Sequence, residues 1–310
     1  MSRPKPMPVA PIDAGRQRRA THAAVAVAGT LVVLKFGAWM VTDSVSLLST
    51  LVDSALDLGA STINLMAVRQ ALTPADDEHR FGHGKAEAIA ALAQSAFIAG
   101  SALFLLAQSA RRLINPVAIE HSAVGLAVMA VSIGATLVLV RYQRRVARET
   151  RSLAIEADAL HYVGDVAANA AVIVALLCTD YLGWLRVDPL MGIAIGVYIA
   201  INALGIGRGA LDMLMDHELP DDERQRIRAI VLKRPEVRAM HALRTRASGP
   251  QIFVQLHIEL DAELSLRAAH AVADRVEQDL HAALPHCDVI IHQDPFVAPR
   301  PVPPEGSTAG

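Results

Sequence analysis

Six apolar segments, 21–42, 46–69, 86–113, 121–141, 153–180 and 186–215, each have about the length needed to cross ~30 Å of hydrocarbon. Lipid offers the backbone no hydrogen-bond partners, so repeated segments of this length must satisfy their own amides and carbonyls as helices. Composition agrees: 53% of the 310 residues are apolar and only 19% are charged, which is richer in apolar residues than the usual soluble balance. A formal net charge of -2 gives no electrostatic pointer to nucleic acid. Cys178 and Cys287 lie far apart in no CxxC pair, which argues against a disulfide framework and against a cysteine-rich zinc site.

The polar, Pro-rich stretch 1–19 is expected to be a disordered tail. A secretory signal would need a short apolar core and a small-residue cleavage site. Here the first apolar run has spanning length and further spans follow, so a retained first helix is expected. Orientation follows from the Lys/Arg bias. Arg16, Arg18 and Arg19 precede span one; Arg69, Arg80 and Lys85 lie between spans two and three; Arg141, Arg144, Arg145, Arg148 and Arg151 lie between spans four and five. The opposite loops hold only Arg111, Arg112 and Arg186. Both termini are therefore expected in the cytoplasm.

The text changes near Asp216. From Pro220 it is charged and amphipathic: Asp221, Asp222 and Glu223 open a short helix by placing negative charge at its N-terminus, and Pro235 follows its apolar side. Residues 252–260 alternate, with Ile252, Val254, Leu256, Ile258 and Leu260 on one face and Phe253, Gln255, His257 and Glu259 on the other, the pattern of a half-buried strand. Ala269, Val272, Ala273, Val276 and Leu280 recur at helical spacing, and 288–294 reads as a last strand. The expected architecture is thus an all-α transmembrane bundle of six helices over 20–216, followed by a small α+β domain of order α-β-β-α-β over 217–296. The Pro- and Gly-rich end, 297–310, is expected to be disordered.

Ionisable residues interrupt two of the spans. Asp53 and Asp57 are four apart on span two and share a helical face; His161 and Asp165 are four apart on span five. Each ionisable group at the bilayer centre costs ~2.5–3.5 kcal/mol on insertion scales. Three carboxylates cannot neutralise one another, so either they hold protons or a cation joins them. Three oxygens and a nitrogen suit tetrahedral Zn2+, and the lack of sulfur leaves other first-row divalent ions open. Between spans two and three, Asp76, His79 and His83 have a spacing that a turn can gather around a metal, or that can simply be a solvated loop. His241, His257, His270, His292 and Asp294 in the C-terminal domain can likewise be a one- or two-metal cluster or separate surface groups. His292 and Asp294 share a strand face because they are two apart. Lys35 and Asn64 are expected to snorkel or to hydrogen-bond between helices. His22, His121, His217, His281 and His286 are expected at the surface.

The motifs VDSALDLGAS (52–61), DDEHRFGHGKAE (76–87), ADALHYVGD (157–165), HALRTRASGP (241–250) and DVIIHQDP (288–295) together resemble the cation diffusion facilitator family, in its bacterial ferrous-iron and zinc efflux branch. The resemblance runs from span one to Pro295. It implies a homodimer of six-helix protomers in the bacterial inner membrane, with a metallochaperone-like cytoplasmic domain. It implies a transport site of Asp53, Asp57, His161 and Asp165, a loop site of Asp76, His79 and His83, and a cytoplasmic binuclear site of His241, His257, His270, His292 and Asp294. Lys85 and Asp216 match a charge pair that couples the domains. The two-Asp pair on span two leaves iron and cadmium open beside zinc.

The expected activity is export of a divalent metal from the cytoplasm in exchange for protons by alternating access. Metal ligands must be deprotonated to bind, so metal and protons compete, and a histidine such as His161 is the natural proton carrier. Zn2+, or Fe2+ or Cd2+, enters as substrate and as regulator on the cytoplasmic domain; no catalytic cofactor is expected. A membrane-bound metal sensor is the alternative, but it would need no acids inside the membrane. An intramembrane metalloenzyme would need an open coordination position; there is no HExxH motif and four ligands close the site.

Overall fold

The computed structural model describes residues 14–43, 45–114, 123–182, 184, 186–284 and 286–296. Most of the expected N-terminal tail (1–13), the C-terminal tail (297–310) and His121 lie outside them. The chain divides into two compact units, the first ending at Asp216 and the second beginning at His217.

The first unit holds six long helices: α1 (Ala14–Thr42), α2 (Val45–Ala71), α3 (Lys85–Ile114), α4 (Ala123–Thr150), α5 (Leu153–Leu182) and α6 (Val187–Leu214). Among the described residues, five of them are long and apolar enough to cross a membrane: α1, α2, α3, α4 and α6. The helix outside that set is α5, which carries Glu156, Asp158, His161 and Asp165. Large apolar side chains such as Phe104, Val138 and Ile201 stand on the outside of the bundle, whereas small ones fill the inside. Ala91, Ala102, Ala157, Ala203 and Ala210 lie in one buried cluster joining α3, α5 and α6. Small residues let helix backbones approach closely where lipid gives no hydrophobic drive to associate. Gly196 is one such point, since a Cβ there would stand 2.8 Å from Leu106 Cγ.

Two boundaries differ from expectation. Residues 14–19 are helical and not a tail: α1 starts at Ala14, with Gln17 and Ala20 buried and Arg16 bonded to Glu149 of α4 at 2.6 Å. The Arg-rich stretch 141–150, expected as a loop, continues α4. Arginine is a good helix former, and Arg145 and Glu149 pair at i,i+4 over 3.0 Å. Membrane length sets how much of a helix is apolar, not where the helix must stop.

The second unit contains α7 (Asp221–Leu232), β1 (Ala239–Ser248), β2 (Gln251–Leu260), α8 (Leu266–Ala283) and β3 (Cys287–Pro295). This is the expected α-β-β-α-β order. The sheet runs β1-β2-β3, with β2 and β3 parallel and α8 as the crossover between them. Ser265 caps α8 by accepting from the Ala268 N–H. Ile227 and Val231 of α7 and Val272, Val276 and Leu280 of α8 pack against Val254, Leu256, Ile258 and Leu260 of β2 in one core. Phe253 departs from its polar face: it is buried, with the Arg246 guanidinium 4.5 Å from its ring centre.

Candidate metal centres

On α2 and α5 the four-residue spacings do what they predict in part. Asp57, His161 and Asp165 each bring one ligand atom within 4.8 Å of the others. His161 Nε2 lies 2.9 Å from Asp57 Oδ1 and 3.9 Å from Asp165 Oδ2. His161 and Asp165 meet because i and i+4 lie one above the other on a helix. Asp53 is not in this cluster. It sits one turn earlier on α2 and contributes to the wall of a cavity of about 230 Å3, which the three clustered residues, Phe97 and Ile199 also line. The other polar intrusions bond between helices. Lys35 Nζ on α1 donates to the Thr50 carbonyl at 3.2 Å and to Ser54 Oγ at 2.6 Å on α2. Asn64 Nδ2 on α2 donates to the Ala154 carbonyl on α5 at 3.3 Å.

The α2–α3 loop gathers all three residues named for it. Asp76 organises the turn by accepting from the backbone N–H of Glu78 at 3.0 Å and of His79 at 2.6 Å, the side-chain mimicry of a backbone turn at which Asp excels. Its two oxygens then face His79 Nδ1 and His83 Nε2, each at 3.4 Å. The His79 backbone N–H is the main cause holding the Asp76 carboxyl below the usual carboxylate range. His83 is nearly enclosed, and its Nδ1 is buried without a partner.

In the second unit, the parallel register sets His257 opposite His292 and Glu259 opposite Asp294. Asp294 is the hub: Oδ2 lies 2.8 Å from His257 Nδ1 and 3.4 Å from His241 Nε2, and Oδ1 lies 3.2 Å from His292 Nε2. The contact with His257 is the first cause that keeps its carboxyl below the ordinary range, helped by the other two imidazoles. His270 does not join. Its ring meets Asp274 of its own helix at 3.6 Å, because α8 turns Val272, Val276 and Leu280 to the sheet and leaves His270 exposed on the flank. Glu259, which the alternation of 252–260 places simply on a polar strand face, has its Oε1 3.1 Å from His241 Nδ1. The spacing points to it, since Glu259 follows His257 by two residues on one face of β2. His281 and His286 are half-buried, not surface groups; His281 Nδ1 meets Cys287 Sγ at 3.6 Å. Burial pushes the Cys287 thiol up to about 11.

Lys85 and Asp216 do pair, at 2.9 Å. Asp216 takes the left-handed conformation (φ 57°) just past α6, and Lys85 Nζ also reaches the Leu214 carbonyl at 3.3 Å. A lysine at a helix C-terminus is favoured by the exposed carbonyls and the dipole.

These three clusters of carboxylate and imidazole, in a chain of apolar helices followed by an α+β unit, have close relatives. Residues 21–215 match the model of the cation efflux transmembrane domain, and residues 219–296 match that of the cation efflux protein cytoplasmic domain. The cation-efflux pump FieF of Serratia proteamaculans (strain 568) is 51% identical over 278 residues, covering 90% of this chain and 92% of that protein. The cation-efflux pump FieF of Salmonella choleraesuis (strain SC-B67) is 50% identical over 283 residues, covering 91% and 94%. Among solved structures, the cytosolic domain of a cation diffusion facilitator family protein is 26% identical, with a TM-score of 0.23, over 24% of this chain and 90% of that one. The chain belongs to the cation diffusion facilitator family of cation efflux proteins: it is a multi-pass membrane transporter, not an enzyme.

Proposed function

We propose that this protein exports divalent metal cations from the cytoplasm in exchange for protons, with Zn2+ as substrate and Fe2+ and Cd2+ as the other ions its ligands suit. The observation that carries the reading is the meeting of Asp57, His161 and Asp165 within 4.8 Å, on two helices of an otherwise apolar bundle. Oxygen and nitrogen donors of this kind suit Zn2+ and neighbouring first-row ions. Asp53 completes the transport site when a cation draws its carboxylate in from the cavity wall. For the acids to be met from both sides, α5 must cross the bilayer as a sixth span. The acids then face one another and a substrate, which is how ionisable groups persist in membranes. The binding groups release protons as metal enters and regain them as it leaves, which couples the two flows. The relatives' designation as cation-efflux pumps supports the direction of transport.

The same reading assigns the loop cluster to metal capture and the cluster of His241, His257, His292 and Asp294, with Glu259 against His241, to regulation by cytoplasmic metal, and leaves His270 outside it within one protomer. The functional form is a homodimer in the bacterial inner membrane with both termini in the cytoplasm, and the Lys85–Asp216 pair links metal on the cytoplasmic domain to the helices.

Purified protein in sealed liposomes under an imposed pH gradient tests this. Zn2+, Fe2+ and Cd2+ are offered one at a time while metal and proton movements are both recorded. Metal should move against the proton flow, and Asp57→Ala or Asp165→Ala should abolish both. Full flux in either variant sinks the site, and metal flux with no proton counterflow sinks the coupling.

A further inference from the structure

One turn before His161 on α5 lies Asp158, a carboxylate with no exposed surface that is absent from the metal cluster. Three side chains from three other helices converge on it. Ser61 Oγ of α2 donates to Oδ1 at 3.2 Å, Gln94 Nε2 of α3 donates to Oδ1 at 3.1 Å, and Gln143 Nε2 of α4 donates to Oδ2 at 2.6 Å. A serine hydroxyl has one proton. Ser61 gives its proton to Asp158, so the Tyr162 hydroxyl, 2.8 Å away, donates to Ser61. Asp158 thereby ties α2, α3 and α4 to α5 in a single layer, buried at Asp158, Ser61 and Gln143.

The position of that layer gives it a purpose. Ser61 follows Asp57 by four residues on α2, and Asp158 precedes His161 by three on α5. The Asp158–Ser61 bond therefore repeats, one turn along, the α2–α5 contact that His161 makes with Asp57. That contact cannot fix the helices by itself, because a metal that takes both side chains as ligands must break it. A framework that survives ligand exchange has to be made of groups the metal does not touch. Outer groups of this kind orient ligands and commonly change metal affinity 10–100-fold when lost. Resting on the transport-site reading above, we infer that Asp158 is a positioning residue: through Ser61 it holds α2 against α5 so that Asp57 and His161 stay in register while they exchange a proton contact for a metal.

The bonding pattern separates this from a role for the charge. Two of the three donors use Oδ1, and only Gln143 uses Oδ2. Gln143 also has an amide oxygen, Oε1, buried without a partner. In Asp158→Asn the remaining oxygen keeps Ser61 and Gln94, and a turned Gln143 amide accepts from the new Nδ2. Every link survives while the charge is gone. In Asp158→Ala every link is lost.

The test reads equilibrium Zn2+ binding to the full chain in detergent, taking as the transport-site component the binding that Asp57→Ala removes, together with thermal unfolding and liposome flux. Asp158→Ala should weaken that component by about tenfold or more and slow flux at limiting Zn2+, while Asp158→Asn stays within about threefold of wild type. Should Asp158→Ala fail to fold, single arms decide. Ser61→Ala, the arm to the helix that carries Asp57, should weaken Zn2+ binding, and Gln94→Ala, the arm to a helix with no ligand, should leave it near wild type although both lower the melting temperature. Unchanged affinity in Asp158→Ala, an Asp158→Asn as damaged as the alanine variant, or equal losses from Ser61→Ala and Gln94→Ala overturns the inference. If Asp57→Ala removes no binding component, the transport-site reading itself fails, a separate outcome.

Discussion

Asp294 shows how unevenly a cluster can lean on one residue. Its two oxygens meet three imidazoles, at 2.8, 3.2 and 3.4 Å, whereas Glu259 meets only His241 and His270 meets none of them. On the proposed regulatory reading, removing the hub removes an oxygen ligand and also the group that orients the rings; removing Glu259 removes only an orienting contact, a change of the 10–100-fold class. The expected order of Zn2+ affinity loss in the second unit is therefore Asp294→Ala, then Glu259→Ala by about tenfold, then His270→Ala with no loss within one protomer. Calorimetry on the four proteins ranks them. A His270→Ala loss as deep as that of Asp294→Ala would place His270 inside a shared site that one protomer does not form.

The turn that follows α7 is tied to α8 by a two-pronged ion pair: Arg234 Nε and Nη2 donate to Asp279 Oδ2 and Oδ1 at 2.6 and 2.8 Å. The pair is about one-third exposed, so solvent screening keeps its worth small. Arg234 beside Asp279 holds that carboxyl below its usual range. A depressed acid stabilises the fold above its unfolded value of ~3.9, and the gain disappears as pH falls through the lower folded value. Arg234→Ala should lower the melting point of the second unit by at most about 4–8 °C near pH 7, and the gap should close in strong acid; a gap that persists there assigns the effect to packing. A strand and a helix of this unit mark what the sequence made legible. Strict alternation in 252–260 and the spacing from Ala269 to Leu280 give β2 and α8 because each has one wet and one dry face. The i,i+4 pairs likewise locate Asp57, His161 and Asp165. Spacing along one element cannot say how two elements rotate against each other, which is why Asp53 falls on the cavity wall and His270 on the flank. Hydropathy is also blind to helix that continues past the lipid, so α1 and α4 are each longer than their apolar cores.

At the scale of the whole chain, the open question of topology turns on α5. Among the described residues, five helices are apolar enough to cross by composition, and a chain with five crossings has its ends on opposite sides. If α5 also crosses, both ends lie on one side, and the Lys/Arg bias makes that side the cytoplasm. The physics favours crossing for a reason internal to the bundle. Asp158 is buried and bonded by donors on three other helices, and His161 sits between two carboxylates, so these two polar groups in the middle of α5 find their partners in protein and not in water. Hydropathy charges α5 the full cost of exposing those groups to lipid, a cost it does not incur. Tags placed at the two ends should therefore be cleaved together by protease in inside-out vesicles and be protected together in intact cells. Cleavage of one tag in each preparation would leave α5 on the membrane surface, and with it would go any path for a metal between Asp57 and His161.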